Sequence, residues 1–339
     1  MNESSSRPHT KYNGPDPGVS VLVAAWNEAD RIGACLAALD SISWPRLQIL
    51  VSAGGTDRTY EIACDHSSDR ISIFPQQPGV GKQAALRDLL TRATEEIIYL
   101  TDGDTVVPEA TLQAVIQPII QGETHVVTGN YRPYEDSAGS PLVFYQWSID
   151  RAVDRQRRCE SEGITGANAA VTRAALDASG GFDSDVKTGT DYWLARQLRA
   201  KGFDIRYVDA GVETEYAHSP RLYTKRRSRW LRNTFLHGRS LGHQEEIRNS
   251  LMTMGIGTAV IGGPVLMAVN KWLGSAVWGG LVGTLLRRRV KYASDLAHER
   301  NSSLPSGYMI RLPYLILLDQ LASALAAVDL VNRRRRQRW

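Results

Sequence analysis

Alternation between short apolar segments and amphipathic ones is the feature of this sequence that most constrains its fold. Four segments are nearly continuous apolar runs and are predicted to be strands: 19–25, 47–52, 71–74 and 97–101. Three helices are predicted between them, from helical spacing or a helix-start signal: 28–40, one from Thr56 or Asp57, and one from about Lys82. Apolar strands that alternate with helices are typical of a parallel sheet covered on both faces. The sequence therefore predicts an α/β fold with a mostly parallel central sheet.

The pattern becomes less regular after residue 125. Two strands and two helices are predicted there: strands at 125–133 and 203–209, and helices at 142–158 and 191–200. A second change of composition follows near residue 250, where long apolar segments begin. We therefore expect the α/β domain to cover residues 18–248.

The strand predicted at 97–101 runs into two aspartates, Asp102 and Asp104, separated by Gly103. Residues i and i+2 of an extended chain point to the same side, so both carboxylates would face one spot that suits a divalent cation. Gly103 would let a ligand approach the backbone closely. A polar turn that caps the strand and starts a helix at Pro108 explains the same residues, because Asp and Gly are common in turns. Ligands of α/β sheets bind at the carboxyl ends of strands, and this pair lies at such an end.

The distribution of charge narrows the class of partners. The formal net charge is +4, but basic residues cluster in the last third of the chain, at 225–232, 287–291 and 333–336. These clusters lie around the most apolar segments. They therefore indicate contact with anionic membrane lipid rather than with nucleic acid.

Cysteine content and the N-terminal composition bear on the cellular compartment. The cysteines at 35, 64 and 159 are odd in number and widely spaced, which argues against a disulfide framework or a zinc site. A reducing compartment fits this pattern best. Residues 1–17 are polar and rich in Ser, Pro and Gly, without the apolar core of a secretory signal, so a disordered lead is predicted.

Residues 251–286 contain a single charge, Lys271, in 36 positions. The stretch divides at Asn270 and Lys271 into apolar arms of 19 and 15 residues. About 20 residues are needed to span a bilayer, so a tight helical hairpin rich in small residues is predicted. A pair of buried core helices or a re-entrant hairpin would have the same composition.

A further apolar segment, 312–331, contains Asp319 and Asp329 and precedes four arginines. If the hairpin crosses a membrane twice, a third crossing would place those arginines outside, against the positive-inside rule. We therefore expect an interfacial or protein-packed helix here. Residues 249–339 as a whole are predicted to be a membrane-associated helical region.

Six stretches of the chain follow one another in a recognisable order. They are VSVLVAAWNEADRI (19–32), SAGGTDRT (52–59), TDGD (101–104), GITGANAAVTRAAL (163–176) followed by GGFD, TGTDYWLARQLRAKGF (188–203) and RRSRW (226–230). Taken together, they resemble the family 2 glycosyltransferases over roughly residues 19–232. No single stretch is specific, but their order and spacing together are. The resemblance implies an inverting transferase with the nucleotide-sugar-binding α/β fold called GT-A.

The resemblance also implies roles for three acids. TDGD corresponds to the family's D-x-D motif, with Asp104 as a metal ligand and Asp102 close to the ribose or the metal. The metal would be Mg²⁺ or Mn²⁺, which takes oxygen ligands and neutralises a leaving diphosphate. Asp191 matches the second acid of the family's E-D pair and is the candidate general base. An acid at that position would also stabilise the start of the helix that it begins, and the family's preceding Glu is Thr190 here.

The nucleotide-binding part departs from the family pattern. Many members carry D-D-G-S-T-D where this chain has SAGGTD, so Ser52 and Ala53 replace two acids. Asp57 remains as a candidate nucleotide ligand, although a helix cap explains it equally well. Glu28 of the family's N-E pair and Lys82 of its G-K segment are further candidates. A phosphate loop at Lys82 is excluded by the missing first glycine and the missing Ser or Thr.

RRSRW resembles the Q-x-x-R-W motif of processive members. Trp230 could stack on a sugar, and the planar guanidinium of Arg229 could pair with a diphosphate. A juxtamembrane basic patch on anionic lipid explains the same residues. Arg226 stands in place of the glutamine, so processivity is not implied.

These features together predict a metal-dependent glycosyltransferase at the cytosolic face of the cell membrane. It would move a sugar from a nucleotide donor, with a UDP-sugar favoured, to a lipid-linked or growing glycan acceptor. A processive polysaccharide synthase and a non-catalytic nucleotide-binding membrane scaffold are the alternatives. Anionic lipid is an expected partner, nucleic acid is not, and a homo-oligomer is compatible with the sequence.

Overall fold

The computed structural model describes residues 17–157, 159–182 and 189–331. The predicted lead, apart from its last residue, and the arginine cluster at 333–336 lie outside these ranges. Contacts divide the chain into two compact units. Of the described residues, the first unit contains those up to Arg132 and those within Asp154–Glu215, and the second contains Pro133–Val153 and those from Tyr216 to Val331. The predicted domain boundary at residue 248 stays a prediction.

The strands and helices follow one another in mixed order along the chain. The strands are β1 (Val19–Trp26), β2 (Leu47–Gly54), β3 (Ile71–Pro75), β4 (Ile97–Asp102), β5 (Thr105–Val106), β6 (Val126–Pro133), β7 (Glu160–Ser161), β8 (Ala169–Thr172) and β9 (Ile205–Thr214). The helices are α1 (Ile32–Asp40), α2 (Thr59–Asp65), α3 (Gly81–Arg92), α4 (Glu109–Ile120), α5 (Pro141–Asp154), α6 (Arg173–Ser179), α7 (Thr190–Ala200), α8 (Pro220–Leu241), α9 (Gln244–Val269), α10 (Lys271–Glu299) and α11 (Tyr308–Val331). Almost all of α5 and all of α8–α11 belong to the second unit.

The strands of the first unit form one sheet in the order β3-β2-β1-β4-β8-β6-β9-β5, with β7 paired to β9. β3, β2, β1 and β4 are parallel, as predicted. β8 runs antiparallel to both β4 and β6, so the sheet is mixed. The predicted α/β fold class is confirmed, and the carboxyl ends of β1, β2 and β4 share one edge.

Apolar packing on both faces of the sheet explains why its central strands are apolar at almost every position. On β1, Val21 and Val23 contribute to one core with residues of α1, α2 and α4. Leu22 contributes to a second core with residues of α3, α6 and α7. Because alternate side chains of a strand point to opposite faces, both sets of positions must be apolar.

Several elements were not predicted from the sequence. β5 and β7 have two residues each, which is too short for periodicity to appear. β8 has four residues, and two of them are alanine, which is depleted in strands. The long helix α8, in which seven of 22 residues are Lys or Arg, was also not predicted. A start signal is nevertheless present, since Ser219 accepts a hydrogen bond from the backbone of Leu222 at 3.3 Å and Pro220 occupies the first turn.

The second unit is helical. α9 ends at Val269 and α10 begins at Lys271, so the break lies where the sequence predicted it. Asn270 caps α10 by accepting a hydrogen bond from the backbone N–H of Leu273 at 3.0 Å. Both helices are longer than the predicted arms. By length and composition alone, two of the described helices are candidates to cross a membrane, α9 and α11, each with a mean hydropathy of 1.7.

A buried carboxylate ties four helices of this unit together. Asp319 of α11 is 2 % exposed and accepts a hydrogen bond from the hydroxyl of Tyr223 on α8 at 2.7 Å. Arg289 of α10 donates to it at 2.8 Å and Arg227 of α8 at 3.3 Å. Tyr145 of α5 reaches the same carboxylate at 3.4 Å. Of the two sequence-based expectations for this segment, the internal contacts of Asp319 favour a protein-packed helix on this face.

Candidate functional site

The site is built at the carboxyl end of β4. The strand ends at Asp102, and Gly103 and Asp104 form a turn before β5. The two aspartates are therefore joined by a turn and not by one extended strand, contrary to the geometry assumed from the sequence. Beneath them lies the buried thiol of Cys35 on α1, 3.5 Å from the carbonyl oxygen of Asp102. Burial raises the pKa of Cys35, and the charges of Asp104 and Asp102 raise it further.

Gly103 serves packing within the sheet. A Cβ atom at this position would lie 2.5 Å from the Cβ of Ala25 on β1, closer than two carbon atoms can pack. The expectation that the glycine leaves room for a ligand is therefore wrong on this side of the backbone. The absence of a side chain lets the turn with both aspartates lie directly against β1.

Replacing Gly103 by Ala is expected to destabilise the first unit by about 1–3 kcal/mol, the usual cost of overpacking a core. The measurement is unfolding by denaturant, with tryptophan fluorescence as the signal. Gly163→Ala is the matched control, because a Cβ there would meet nothing within 4 Å. Equal stability of the two variants would show that β1 and the turn can separate without cost.

Lys82 carries the positive charge of the site. It lies in the first turn of α3, and its ammonium group forms an ion pair with the carboxylate of Asp102. Burial alone would lower the pKa of Lys82, but the carboxylates of Asp102, Asp191 and Asp104 outweigh it and raise the pKa. The lysine is thus held in its charged form among three acids. Such a group can neutralise an anionic ligand once the ligand competes for it.

Asp191 lies in the first turn of α7, and one of its oxygens accepts a hydrogen bond from the backbone N–H of Tyr192 at 2.9 Å. A Cβ atom on Gly166 would lie 3.2 Å from the Cβ of Asp191 and 3.7 Å from the ammonium nitrogen of Lys82. The loop that contains Gly166 therefore brings Asp191 close to Lys82. The carboxylate is accessible to solvent, yet desolvation by the surrounding protein raises the pKa of Asp191, while Lys82 acts in the opposite direction.

The loops that follow β1 and β2 are fastened to each other. Asn27 has a positive φ of 60°, and its side-chain oxygen accepts from the backbone N–H of Thr56 at 2.7 Å. The backbone N–H of Glu28 donates to the hydroxyl of Thr59 at 2.7 Å. Asp57 accepts from the backbone N–H groups of Thr59 and Ala29, at 3.1 and 3.2 Å. The carboxylate of Asp57 thus holds the loop together, and a contact of Asp57 or Glu28 with a nucleotide stays a prediction.

Hydrogen bonding also controls the ionisation of Asp57. Burial would raise the pKa of this carboxyl, but the hydrogen bonds from Thr59 and Ala29 outweigh that effect and lower the pKa. Ser52 and Ala53, which replace the family's two acids, are buried within β2. The side of the site next to β2 therefore presents fewer carboxylates than the family pattern would.

Asn168 was not identified from the sequence. It is fully buried, and its side chain bonds the hydroxyl of Tyr99 on β4 at 2.6 Å and the carbonyl oxygens of Asn130 and Ala210 at 2.7 and 2.8 Å. It thereby anchors the end of the loop that contains Gly166. A polar residue inside an apolar stretch, GANAAV, was the available signal.

Arg229 and Trp230 lie on α8 of the second unit. Trp230 is 57 % exposed, and the guanidinium of Arg227 stacks over its ring at 5.1 Å. Burial, together with the neighbouring charges of Arg226 and Arg232, lowers the pKa of Arg229. The predicted roles of both residues toward the donor stay predictions.

The carboxylates at the end of β4 fit the protein's share of a divalent metal site. Within the described ranges, no three His, Cys, Asp or Glu side chains gather into a cluster that could hold a metal by themselves. Mg²⁺ and Mn²⁺ do not require one, because they bind one or two carboxylates together with the phosphates of a substrate. Asp102 and Asp104 supply hard oxygen ligands of that kind, next to a lysine that can balance additional phosphate charge.

Acids at the carboxyl end of β4, with the lysine of α3 beside them, lie where α/β sheets bind their ligands. Residues 15–233 match the family model described as glycosyltransferase like family 2. The chain belongs to this family and is a glycosyltransferase, which confirms the resemblance found in the sequence.

Curated relatives are 25–28 % identical to this chain, and the match covers only part of each of them. Poly-beta-1,6-N-acetyl-D-glucosamine synthase of Staphylococcus epidermidis is 25 % identical over 197 residues, which cover 56 % of this chain and 48 % of the relative. Beta-monoglucosyldiacylglycerol synthase of Synechocystis is 28 % identical over 232 residues, covering 64 % of this chain and 47 % of the relative. Glycosyltransferase AglE of Haloferax volcanii is 26 % identical over 208 residues, covering 60 % and 65 %. The matched part thus spans about half to two thirds of these relatives.

A solved structure agrees with the fold over almost the whole chain. The mannosyltransferase PcManGT from Pyrobaculum calidifontis, solved with GDP-Man and Mn²⁺, superposes with a TM-score of 0.58 at 19 % identity. The match covers 96 % of this chain and 90 % of that one. The predicted GT-A fold is therefore confirmed.

Proposed function

We propose that this glycosyltransferase is a metal-dependent inverting enzyme that transfers a sugar from a nucleotide donor to a lipid-linked or growing glycan acceptor. The observation that carries the proposal is the convergence of Lys82, Asp102, Asp104 and Asp191 at one edge of the sheet. Three acids around one lysine provide a place for a diphosphate, a place for a cation and a base.

In this proposal an acceptor hydroxyl attacks the anomeric carbon of the donor while the bond from that carbon to the diphosphate oxygen breaks. Asp191 takes the hydroxyl proton, and the sugar inverts its configuration. Lys82 leaves Asp102 in part and pairs with the diphosphate. Asp102 and Asp104 would hold Mg²⁺ or Mn²⁺, which neutralises the charge on the leaving diphosphate when it is bound.

The relatives support a nucleotide-sugar donor and a lipid or glycan acceptor as classes. PcManGT was solved with GDP-Man and Mn²⁺, and the names of two relatives specify a glycolipid and an N-acetylglucosamine polymer as products. We favour a UDP-sugar as donor. The candidate membrane helices α9 and α11 support work at a membrane. We place the catalytic unit on the cytoplasmic side of the cell membrane, where nucleotide sugars are made.

Processive synthesis is the second candidate, because a polymer synthase is among the relatives. Arg226 in place of glutamine in the R-W motif speaks against it. The family's two acids replaced by Ser52 and Ala53, and its Glu replaced by Thr190, are the only support for a non-catalytic scaffold. Retention of Asp102, Asp104, Asp191 and the R-W pair argues against it.

The test is release of nucleoside diphosphate by the detergent-solubilised protein with Mn²⁺ or Mg²⁺, over UDP-, GDP- and dTDP-sugars, with a lipid extract as acceptor source. One donor is expected to turn over in a lipid-dependent way. Asp104→Asn is expected to lose most metal-dependent donor binding and turnover, because it removes a charged ligand of the cation. Asp65→Asn, an exposed aspartate at the end of α2, is the matched control.

Donor binding without turnover of any sugar would favour the scaffold. Turnover that does not depend on added metal, and that Asp104→Asn leaves intact, would contradict the metal-dependent mechanism. Long products from a single encounter with acceptor would favour the processive enzyme.

A further inference from the structure

The outward face of α11 is apolar along its whole length. Exposed side chains on this face recur at intervals of three, four or seven residues, which places them on one side of a helix: Ile310, Tyr314, Leu317, Leu321, Val328 and Val331. The stripe extends for about 30 Å, the thickness of the hydrocarbon core of a bilayer. The opposite face is covered by α8 and α9. Exposure of this apolar stripe to water is therefore unfavourable, whereas contact with lipid acyl chains would be favourable.

Beside the stripe, α8 and α11 form an open groove of about 380 Å³. Its apolar part comes from Leu318 and Leu325 of α11. Its charged part consists of Arg221 and Lys225 of α8 against a single carboxylate, Asp329. The groove thus combines an apolar wall with an excess of positive charge, in direct continuity with the apolar stripe.

The two cations lie near the N-terminus of α8, where the helix dipole makes positive charge unfavourable. Arg221 and Lys225 lie in the first two turns of α8, and the first turn has no acid. A helix N-terminus carries a partial positive charge, so basic residues there are unfavourable unless an anion is added. The ion pair that joins α8 to α11 uses Arg227 and Asp319, and neither of these two cations takes part in it. Local unfavourable choices of this kind are expected at binding sites.

We infer that the groove binds the headgroup of an anionic phospholipid, with the phosphate between Arg221 and Lys225 and the acyl chains along Leu325 and the stripe of α11. The inference deepens the membrane setting of the proposed function but does not depend on the transfer chemistry. It assigns the lipid a docking role on the second unit, separate from the acceptor and the donor.

The test uses the full chain in neutral detergent micelles, titrated with a fluorescent phosphatidylglycerol and with a phosphatidylcholine that has the same acyl chains. Phosphatidylglycerol is expected to bind more tightly. Each Lys or Arg near an anionic lipid surface contributes a factor of roughly five, so Arg221→Gln with Lys225→Gln should weaken phosphatidylglycerol binding about 25-fold. Phosphatidylcholine binding should change little. The matched control is Arg87→Gln with Lys201→Gln, two exposed cations of the first unit.

Unchanged phosphatidylglycerol binding in the groove variant, or an equal loss in the control, would overturn the inference. Displacement of the fluorescent lipid by soluble glycerol phosphate at comparable concentration would show a simple phosphate site and not a lipid site. Light scattering of the unaltered protein and of Leu321→Glu tests a second copy of the chain as the occupant of the stripe. A dimer that Leu321→Glu dissociates, while lipid binding stays unchanged, would assign the stripe to a second copy and not to lipid. Nucleoside diphosphate release measured on the same samples reports separately on the proposed chemistry.

Discussion

Replacing Asp191 by Asn is expected to lower kcat by about 10²–10⁴-fold, the range that a general base contributes. The amide keeps the size and the hydrogen bond to the backbone of Tyr192, but it cannot accept the proton of the acceptor hydroxyl. Lys82, Asp102 and Asp104 stay in place, so the donor KM and the metal requirement should change little. The measurement is steady-state kinetics of nucleoside diphosphate release.

The pH profile provides a second readout of the same role. Asp191 acts as a base only when it is ionised, and desolvation raises the pKa of its carboxyl. Activity should therefore fall with decreasing pH at a higher pH than an ordinary aspartate would give. Lys82 lowers that pKa, so Lys82→Gln should move the acidic limb of kcat to still higher pH.

Loss of activity alone would not separate catalysis from helix capping. Glu61→Gln is the control, because it removes an acid from the first turn of α2 in the same unit without touching the site. Its kcat should be close to that of the unaltered protein. If Asp191→Asn behaves like Glu61→Gln, Asp191 serves only the helix, and the general base must be sought elsewhere.

The sequence predicted the parallel half of the sheet because each of its strands is long enough for a composition pattern to show. It also predicted Asp102, Asp104, Lys82 and Asp191 one by one, from local motifs and from the family resemblance. Their convergence could not be predicted, since Lys82 and Asp191 are more than 100 positions apart and the loop with Gly166 brings them together.

Interpretations of single residues in the sequence were wrong where contacts with distant parts of the chain determine what the residue does. Gly103 looked like space for a ligand, but Ala25 of the neighbouring strand occupies that space. Asp319 looked like an interruption of an apolar segment, yet its partners come from three other helices. A buried polar residue can be seen in a sequence, whereas the residues that satisfy it cannot.

Replacing Asp319 by Asn is expected to destabilise the second unit by about 3–5 kcal/mol, the cost of removing one partner from a buried ion pair. Arg289 is 9 % exposed and Arg227 is 26 % exposed, so two like charges would be left without their shared carboxylate. The amide could still accept the hydrogen bond of Tyr223, which isolates the loss of charge. The measurement is thermal unfolding in detergent, with the protease resistance of α8–α11 as the signal for unfolding.

The matched control is Asp295→Asn on α10, which also removes the carboxylate of an ion pair, in this case with Lys291. Its lysine partner, Lys291, is 71 % exposed, so the loss should stay within about 1 kcal/mol. A combined variant, Asp319→Leu with Arg289→Met, Arg227→Met and Tyr223→Phe, should recover much of the lost stability, because it replaces the carboxylate together with the partners that would be left unpaired. Recovery would locate the cost in the unpaired charge. Equal effects of Asp319→Asn and Asp295→Asn would mean instead that water reaches Arg227 and Arg289, and that the four helices are held by apolar packing alone.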